Sequence, residues 1–291
     1  MRRILITGGT GQVGTELRNR PWPSDIELVA PTRQELDLSD CDAIEELITA
    51  GDFCAVINSG AYTAVDRAES DVATAWKVNA LAPAVIAAAT KRQGIPLIHV
   101  STDYVFDGSK DGPYLEDDHV APLGVYGGSK EAGEQAVRTG NPRHVILRTA
   151  WVFSAHGANF VKTMLRLGAE RSEIRVVDDQ RGSPTAASDI ALALNHISLR
   201  LVEDREPHYG TYNFVNSGEA TWYGLACELF AQREQAGYAV PILKPIGTSD
   251  YPTPARRPAN SSLSTEKLLR DFGIEATTWQ DALRRTLASM Y

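Results

Sequence analysis

The clearest potential for proton transfer in this chain lies in Tyr126 and Lys130. The two residues are four positions apart, and this spacing places them on one face of a helix with Cβ atoms about 6 Å apart. A phenol with an ordinary pKa of about 10 is a poor acid–base group, and a nearby ammonium would lower that pKa. The pair therefore suggests a proton donor and its partner, although the same spacing also occurs on exposed helix faces.

A hydroxyl and a carboxyl, Thr102 and Asp103, come soon after the predicted strand Leu97 to Val100. Ligands of open parallel sheets bind at the carboxyl ends of the strands. Thr102 could there hold a substrate carbonyl and the Tyr126 hydroxyl together. Taken alone, Thr102 is better interpreted as a strand-end hydroxyl that caps a turn.

A glycine-rich turn lies near the start of the chain, between the apolar run Ile4 to Ile6 and a predicted helix. Gly9, Gly11 and Gly14 fit G-x-G-x-x-G, and Gly8, Gly11 and Gly14 fit G-x-x-G-x-x-G. Such glycines allow a tight turn, a close approach of pyrophosphate and close packing of helix on sheet. The helix N-terminus adds free N–H groups for phosphates. The strand–turn–helix setting therefore predicts a dinucleotide site rather than a plain turn.

The second predicted strand ends without the acidic residue that would bind the ribose hydroxyls of NAD. The chain there reads Val29-Ala30-Pro31-Thr32-Arg33. An arginine pairs with a 2′-phosphate, whereas a carboxylate repels it. We therefore expect NADPH to be used at least as well as NADH, with Arg33 as the candidate ligand; a solvated surface role for Arg33 is an equal alternative.

Strand and helix patterns alternate through the first half of the chain, and the apolar strand runs are continuous. The predicted strands are Ile4 to Ile6, Ile26 to Val29, Phe53 to Ile57, Leu97 to Val100 and His144 to Leu147; the predicted helices are Val13 to Arg20, Ala43 to Ala50, Val72 to Arg92 and Tyr126 to Arg138. This pattern predicts an α/β fold with a Rossmann-type, doubly wound parallel sheet.

The second half is less regular and is predicted to form a smaller, interleaved α/β substrate lobe. Its predicted helices are Phe160 to Leu167, Ile190 to Leu201, Leu225 to Gln232 and Ala282 to Leu287, and its predicted strands are Ile174 to Val177 and Tyr212 to Val215. We divide the chain into a dinucleotide-binding domain over residues 1–153 and a lobe over residues 154–291, with some segments of the lobe expected to return to the first domain.

One polar side chain, Asn79, interrupts the apolar helix Val72 to Arg92. A buried amide needs hydrogen-bond partners. Asn79 could brace a kink before Pro83 or take part in a proton path, and bracing is the preferred interpretation.

Composition and charge exclude several classes of protein. The chain has 291 residues, 43% hydrophobic content and a net charge of −8, so nucleic-acid binding through a basic surface is not expected. We identify no apolar run of about 18 residues and no signal-peptide pattern at the N-terminus. The three cysteines, Cys41, Cys54 and Cys227, are scattered, which favours reduced thiols and a cytoplasmic location.

These features resemble the extended short-chain dehydrogenase/reductase family, which combines an N-terminal glycine turn, a Ser or Thr after a central strand and Tyr-x-x-x-Lys. Matching stretches are distributed along almost the whole chain, in order. They are Gly11 to Gly14, Asn58 to Ala68, Ser101 to Phe106, Pro122 to Gly127, Arg148 to Val152, Asp179 to Thr185 and Tyr251 to Pro258.

The resemblance implies a role for each matching cofactor residue. Gly11, Gln12 and Val13 would contact the pyrophosphate, with Gly8 in the same turn. Asp37 and Leu38 would flank the adenine, and Ala61, Tyr62 and Thr63 would lie further along the adenosine side. Tyr126 would be the proton donor, and Lys130 would lower its pKa and bind the ribose.

The resemblance also implies substrate ligands and a sugar-nucleotide function for the second lobe. Thr102 and Asp103 would touch the sugar, with Thr102 adjusting the tyrosine, and Trp151 would contact a deoxysugar; without the resemblance, Trp151 is better interpreted as a core residue. Arg256 and Arg257 would bind a diphosphate or else form a solvated basic turn. Gln180 would face thymine.

Some members of the family form a homodimer through a metal that carboxylates bind. Glu16 keeps one such position, but Ser188 stands where those members carry Glu. The six histidines show no metal-ligand spacing either. Because Ser188 replaces that Glu, we expect no magnesium site.

The implied reaction is the NADPH-dependent reduction of the C4 keto group of dTDP-4-dehydro-β-L-rhamnose, the last step of dTDP-L-rhamnose biosynthesis. One alternative is an epimerase or dehydratase of the same fold, which would act on another nucleoside-diphosphate sugar and retain its NAD. A second is a non-catalytic, NADP-binding regulatory subunit. The presence of Thr102, Tyr126 and Lys130 together argues against the second alternative.

Overall fold

The structure is a computed structural model that describes residues 1–290. Its strands are β1 (Arg2–Thr7), β2 (Ile26–Val29), β3 (Ala55–Asn58), β4 (Leu97–Thr102), β5 (His144–Thr149), β6 (Val152–Phe153), β7 (Glu173–Val177), β8 (Arg181–Gly182), β9 (Thr185–Ala186), β10 (Gly210–Asn213), β11 (Ala220–Thr221) and β12 (Ile242–Ile246).

Each predicted helix is present, with ends that shift by a few residues and with Val72 to Arg92 divided into two α-helices and a π-helical turn between them. The helices are α1 (Gln12–Asn19), α2 (Cys41–Ala50), α3 (Val65–Ala68), α4 (Val72–Trp76), α5 (Ala82–Gln93), α6 (Val125–Gly140), α7 (Phe160–Glu170), α8 (Ala187–Glu203), α9 (Trp222–Gln235), α10 (Glu266–Phe272) and α11 (Trp279–Ala288). Residues Asp103–Val105 and Thr248–Asp250 form 3₁₀ turns.

The central sheet is wholly parallel, with strand order β10-β5-β4-β3-β1-β2. The chain reverses its direction of progress across the sheet beside β1, so the crevice between β1 and β3 is a topological switch point of the kind that binds ligands. The predicted α/β Rossmann-type fold is confirmed.

Both faces of the sheet are covered by apolar helices, which explains the continuous apolar strand runs. On one face Ile4, Ile6 and Ile57 pack against α1, α8 and α10. On the other, Leu5 and Val56 pack against α2, α5 and α6. This second face therefore positions α6, the helix that carries the predicted Tyr–Lys pair.

The second half of the chain contributes to both parts of the molecule. Helix α8 packs against α1 under the sheet, and β10 extends the sheet beside β5. A separate apolar cluster gathers α7, β7, α9 and α11 around Met164, Leu229 and Leu283. The boundary at residue 153 stays a prediction.

The helix predicted over Val72 to Arg92 is interrupted by a π-helical turn at Lys77–Leu81, after which Pro83 lies in the first turn of α5. By length and composition Val72–Gln93 would qualify as a membrane span, so the expectation of no such apolar run was wrong. Half of the most apolar stretch of this segment is buried. The segment packs against α2 and α6, as the core helix of a globular fold does.

The sequence does not predict α3, α10 or the strands β6, β8, β9, β11 and β12. Each of these strands pairs with one partner in a two-stranded sheet, and β12 contains Pro245, which sequence patterns assign to loops. Their pairing depends on contacts that are distant in sequence.

Candidate functional site

A cavity of about 1040 Å³ opens at the carboxyl ends of β1, β3, β4 and β5. Its volume lies at the upper end of ligand sites, which suits two ligands or one long ligand. The predicted residues that line it are Gly8, Gly11, Gln12, Val13, Arg33, Asp37, Leu38, Ala61, Tyr62, Thr63, Thr102, Asp103, Tyr126, Lys130 and Trp151.

The glycine turn has the geometry of a phosphate cradle. Gly8 has a φ of +71°, and a Cβ there would lie 2.5 Å from the Gly60 Cα atom. A Cβ on Gly14 would lie 2.2 Å from the Gly8 carbonyl oxygen, so this glycine permits the close helix packing that was predicted. Helix α1 begins after Gly11 with no side-chain cap, which leaves its first N–H groups for an anionic ligand.

One acidic and one basic side chain from the loop after β2, Asp37 and Arg33, line the cavity. Asp37 is held charged because hydrogen bonds from Ser39 keep the pKa of its carboxyl below the ordinary value. The Arg33 guanidinium lies 3.8 Å from that carboxylate with its side chain 80% exposed. The cavity thus has an acidic group after all, which the loop that follows β2 supplies.

Asn79, in the π-helical turn, braces the loop over Ala61 to Thr63. Its side-chain oxygen accepts from the Tyr62 N–H at 2.8 Å, and its Nδ2 donates to the Tyr62 carbonyl and to Ser129 Oγ. Ser129 Oγ in turn donates to the Tyr126 carbonyl. Asn79 therefore links the cofactor-side loop to α6, and the π turn lies at a functional site, as π turns often do.

Tyr126 is a half-buried residue that lines the cavity, and its phenol keeps its proton. Burial raises the pKa of Tyr126 to about 12, whereas hydrogen bonding with the Thr102 side chain opposes the shift. Glycine at position 127 allows the close approach of α6, since a Cβ there would lie 2.2 Å from the Tyr104 carbonyl oxygen. A phenol that keeps its proton is suited to donate it.

Lys130 is buried behind the cavity and interacts with the sheet. Its Nζ donates to the Val100 carbonyl at 2.7 Å and lies 3.4 Å from His99 Nε2. Burial lowers the pKa of Lys130 to about 8, while the Glu134 carboxylate opposes the shift. The expected lowering of the tyrosine pKa by Lys130 is thus wrong for this state, because burial dominates for both groups.

Asp103 is a buried carboxyl beside the phenol. Thr102 Oγ1 donates to its Oδ1 atom at 2.9 Å, and Oδ2 has no hydrogen-bond partner. Burial raises the pKa of Asp103 to about 7, against the hydrogen bonds that it accepts. Asp103 lines the cavity with a buried carboxyl that has an unpaired oxygen, and a buried polar atom without a partner is unusual in a folded protein.

A buried ion pair fixes α6 to the sheet. Arg148 on β5 donates two hydrogen bonds to Glu134 on α6, at 2.9 and 2.8 Å. The two side chains are 1% and 0% exposed. Burial acts to raise the pKa of Glu134, but the bonds and charge of Arg148 hold it below the ordinary value.

Trp151 forms a fixed aromatic wall of the cavity. It adopts a φ of +47°, which is unusual for a residue other than glycine, and its Nε1 donates to Ser261 Oγ at 3.0 Å. The Trp222 ring stacks on it with centroids 3.5 Å apart and an interplanar angle of 4°. Backbone strain of this kind clusters at functional sites.

Three predicted substrate ligands do not line the cavity. Gln180 is buried, accepts from Trp222 Nε1 and donates to Thr248 Oγ1. The Arg257 guanidinium forms an ion pair with Asp66 at 2.8 Å, and Arg256 is exposed. Gln180 therefore supports the aromatic wall, and Arg257 fixes its proline-containing loop to α3.

Glu16 lies at the edge of the second lobe. Its Oε1 accepts from Ser154 Oγ at 3.4 Å and lies 3.7 Å from His156 Nε2. Within residues 1–290 no group of three or more His, Cys, Asp or Glu side chains is placed to hold a metal ion.

Sequence reasoning missed several cavity residues. Trp222, Tyr104 and Asn159 are among those that line it, and Asn159 Nδ2 donates to the Gln12 side chain at 2.9 Å. Tyr104 could have been found, because it follows Thr102 and Asp103 directly. No local pattern distinguishes Trp222 from a core tryptophan.

Comparison with known families and proteins gives one consistent result. The family model described as RmlD substrate binding domain matches residues 1–291. The dTDP-4-dehydrorhamnose reductase of Sinorhizobium fredii is 41% identical over 97% of this chain and 96% of its own. That of Escherichia coli K12 is 40% identical over 99% and 98%.

Solved structures agree with these relatives. A dTDP-4-dehydrorhamnose reductase from Clostridium acetobutylicum superposes with a TM-score of 0.92 at 34% identity, covering 99% of both chains. One from Bacillus anthracis, solved in complex with NADP, gives 0.91 at 33% identity over 99% and 100%. The Thermotoga maritima UDP-glucose 4-epimerase gives 0.79 at 19% identity, a likeness of fold alone.

Proposed function

The chain belongs to the RmlD substrate-binding-domain family, together with the dTDP-4-dehydrorhamnose reductases, and on that premise we propose how its residues perform the reaction. The enzyme is an NADP-dependent oxidoreductase that reduces the C4 keto group of dTDP-4-dehydro-β-L-rhamnose to dTDP-β-L-rhamnose. The observation that carries the proposal is a protonated phenol, Tyr126, beside a hydroxyl and a carboxyl in a cavity that begins at a glycine cradle.

The residues fit a dinucleotide. Gly8, Gly11 and the first turn of α1 would hold the pyrophosphate, since no side chain caps the N-terminus of α1 and its first N–H groups are left for an anion. Arg33, Asp37 and Leu38 would flank the adenosine, with Ala61, Tyr62 and Thr63 further along. NADPH supplies a hydride to the keto carbon when it is bound.

Tyr126 would donate its proton to the oxygen that becomes the C4 hydroxyl. A phenol with a pKa raised to about 12 is fully protonated before the reaction, and it becomes a competent donor when negative charge develops on the oxygen beside it. Lys130, fixed by the Val100 carbonyl, would bind the nicotinamide ribose and stabilise the phenolate that is left.

The sugar would lie between Trp151 and Asp103. The indole face offers apolar area to the C–H face of a deoxysugar, and the Asp103 carboxyl, which lines the cavity, would bind a sugar hydroxyl. We propose that Arg256 and Arg257 approach the diphosphate only when the loop over Tyr251 to Pro258 moves, because Arg257 is engaged with Asp66. Gln180 would not contact thymine directly; it would hold Trp222 in place by accepting a hydrogen bond from its indole nitrogen.

The proposal also includes a cytoplasmic location and a homodimer. The cysteines Cys41, Cys54 and Cys227 are all free, as expected of a reducing compartment. Light scattering of the purified chain tests the dimer, and a mass of one chain, 31.7 kDa, would contradict it.

The experiment that tests the proposed function compares Tyr126→Phe with Tyr104→Phe. Both changes remove one hydroxyl from the same cavity, and the two rings are in edge contact with centroids 5.4 Å apart. Loss of a general acid should lower kcat by about 10²- to 10⁴-fold while the Kd of NADPH stays near the parent value, and Tyr104→Phe should retain most turnover. Equal kcat values for Tyr126→Phe and the parent would remove Tyr126 from this role.

A further inference from the structure

A row of buried polar side chains crosses the central sheet below the cofactor site. Thr7, Asn58 and His99 are direct neighbours in register on β1, β3 and β4. Thr7 Oγ1 lies 2.6 Å from Asn58 Oδ1, and Asn58 Nδ2 lies 2.9 Å from His99 Nδ1. The row ends at Lys130 Nζ, 3.4 Å from His99 Nε2.

Burial makes these contacts obligatory. Thr7, Asn58, His99 and Lys130 are 1%, 1%, 0% and 2% exposed, so water cannot replace a missing partner. The three strand residues share one face of the sheet with the residues two positions before them, which belong to an apolar cluster: Leu5, Val56 and Leu97. A polar row at this depth requires a specific reason.

His99 can have only one donor nitrogen. Burial, together with the positive charges of Lys130 and Arg138, lowers the pKa of His99 well below its ordinary value, so the ring is neutral. A neutral imidazole donates through one nitrogen and accepts through the other. The state of each nitrogen therefore fixes the state of the other.

The hydrogen bonds along the row can run in either of two directions, which we call the two polarities of the row. In the arrangement shown, the Asn58 amide donates to Nδ1, so Nε2 carries the proton and points at Lys130, which must then be a neutral amine. An ammonium has three donors and no acceptor, so a charged Lys130 requires Nε2 to accept and Nδ1 to carry the proton. Asn58 then turns its oxygen to His99 and its NH₂ to Thr7, whose hydroxyl can donate or accept.

We propose that His99 is a positioning residue for Lys130: its Nε2 atom accepts a hydrogen bond from the Lys130 ammonium and holds it beside the Val100 carbonyl, and the charge on Lys130 sets the polarity of the row. The proposal rests on the proposed function, in which Lys130 must be charged and aligned to bind the cofactor ribose. It also connects Lys130 to Thr7, the residue directly before the glycine turn.

The ionisable groups around the row come from two elements. On α6 they are Glu134 and Arg138, and on β5 they are His144 and Arg148. Glu134 is neutralised by Arg148 and Arg138, at 2.8 and 2.5 Å. Among residues 1–290, His99 Nε2 and the Val100 carbonyl oxygen are the two atoms that lie within hydrogen-bond distance of Lys130 Nζ.

The first test determines the tautomer of His99 in the parent protein by ¹⁵N NMR, with the resonance assigned from its loss in His99→Gln. We expect the Nδ1–H form at about pH 6.5 and conversion to the Nε2–H form as pH rises through the pKa of Lys130, about 8. An Nε2–H ring at about pH 6.5 would overturn the proposal, because it could not accept from the ammonium. This measurement needs no turnover.

The second test measures the alkaline limb of kcat/KM for NADPH. His99→Phe removes the acceptor, so the limb should move to lower pH by about one unit, whereas His99→Gln, which keeps an acceptor oxygen, should stay near the parent. Thr7→Val breaks the far end of the row without touching Lys130 and should leave the limb in place. An unmoved limb in a folded His99→Phe, or an equal shift in Thr7→Val, would refute the positioning role.

Failure of the proposed function has a different signature. A parent protein that does not oxidise NADPH with the keto-sugar nucleotide contradicts the reductase mechanism, and the tautomer measurement still decides the role of His99. If His99→Phe does not fold, the tautomer measurement decides alone.

Discussion

Replacing Asp103 by Asn should change the free energy of unfolding, relative to the parent, in a way that depends on pH. The difference between variant and parent should shift in favour of the variant as pH rises. The unfolded carboxyl ionises near its ordinary value of 3.8, whereas burial keeps the folded one protonated until about pH 7. A raised pKa means that the stability contributed by this group is complete below pH 3.8 and is lost as pH rises through about 7. The amide in Asp103→Asn does not titrate, so the variant escapes that loss.

The magnitude follows from the two pKa values. A difference of about three units corresponds to about 4 kcal/mol in full, of which about 2 to 3 kcal/mol develops between about pH 5 and pH 8. The new NH₂ group would lie where Oδ2 has no partner, which costs about 1 to 3 kcal/mol. That cost does not depend on pH, so it cancels from the difference between the two pH values.

Equilibrium urea unfolding at about pH 5 and pH 8 measures this difference. Asp107→Asn is the matched control, because hydrogen bonds from Ser109 lower the pKa of Asp107. A lowered pKa contributes stability that is lost only in stronger acid, so this variant should lose the same amount at both pH values. If Asp103→Asn also showed the same offset from the parent at both, the buried carboxyl would not be the destabilising group that we describe.

Two other changes have outcomes that the structure fixes in direction. Glu134→Gln leaves the Arg148 guanidinium buried without its carboxylate and should lower the free energy of unfolding by about 3 to 5 kcal/mol; an unchanged urea midpoint at pH 7 would contradict this. Arg33→Ala removes an exposed charge from the adenosine end and should raise the KM of NADPH relative to that of NADH by about two- to fivefold. An unchanged ratio of the two KM values would remove Arg33 from cofactor recognition.

Local patterns in the sequence predicted the parts of the site that depend on neighbours in the chain. The glycine turn needs Gly8 and Gly14 at fixed offsets from a strand. The structure explains both, because a Cβ atom at either position would lie too close to neighbouring backbone atoms. The pair Tyr126 and Lys130 needs only one helix, and α6 spans both.

Features that depend on distant segments could not be predicted in this way. Trp222 reaches the cavity by stacking on Trp151, and Asp66 binds Arg257, 191 positions away. The pKa of Tyr126 was predicted to fall because a lysine lies one helical turn away. In the structure, burial is the largest effect on both groups, and it raises the pKa of Tyr126 and lowers that of Lys130. Burial is a property of the whole fold, which explains why the spacing alone gave the wrong sign.

The most direct test of the reductase mechanism follows a labelled hydride. The parent enzyme is given NADPH that carries deuterium on the transferable position of the nicotinamide, together with the keto-sugar nucleotide, and the product is examined by mass spectrometry and NMR. The mechanism predicts one deuterium at C4 of the sugar for each NADPH oxidised. A product without deuterium, or a sugar converted with no net loss of NADPH absorbance, would contradict it and would favour an enzyme that recycles its cofactor.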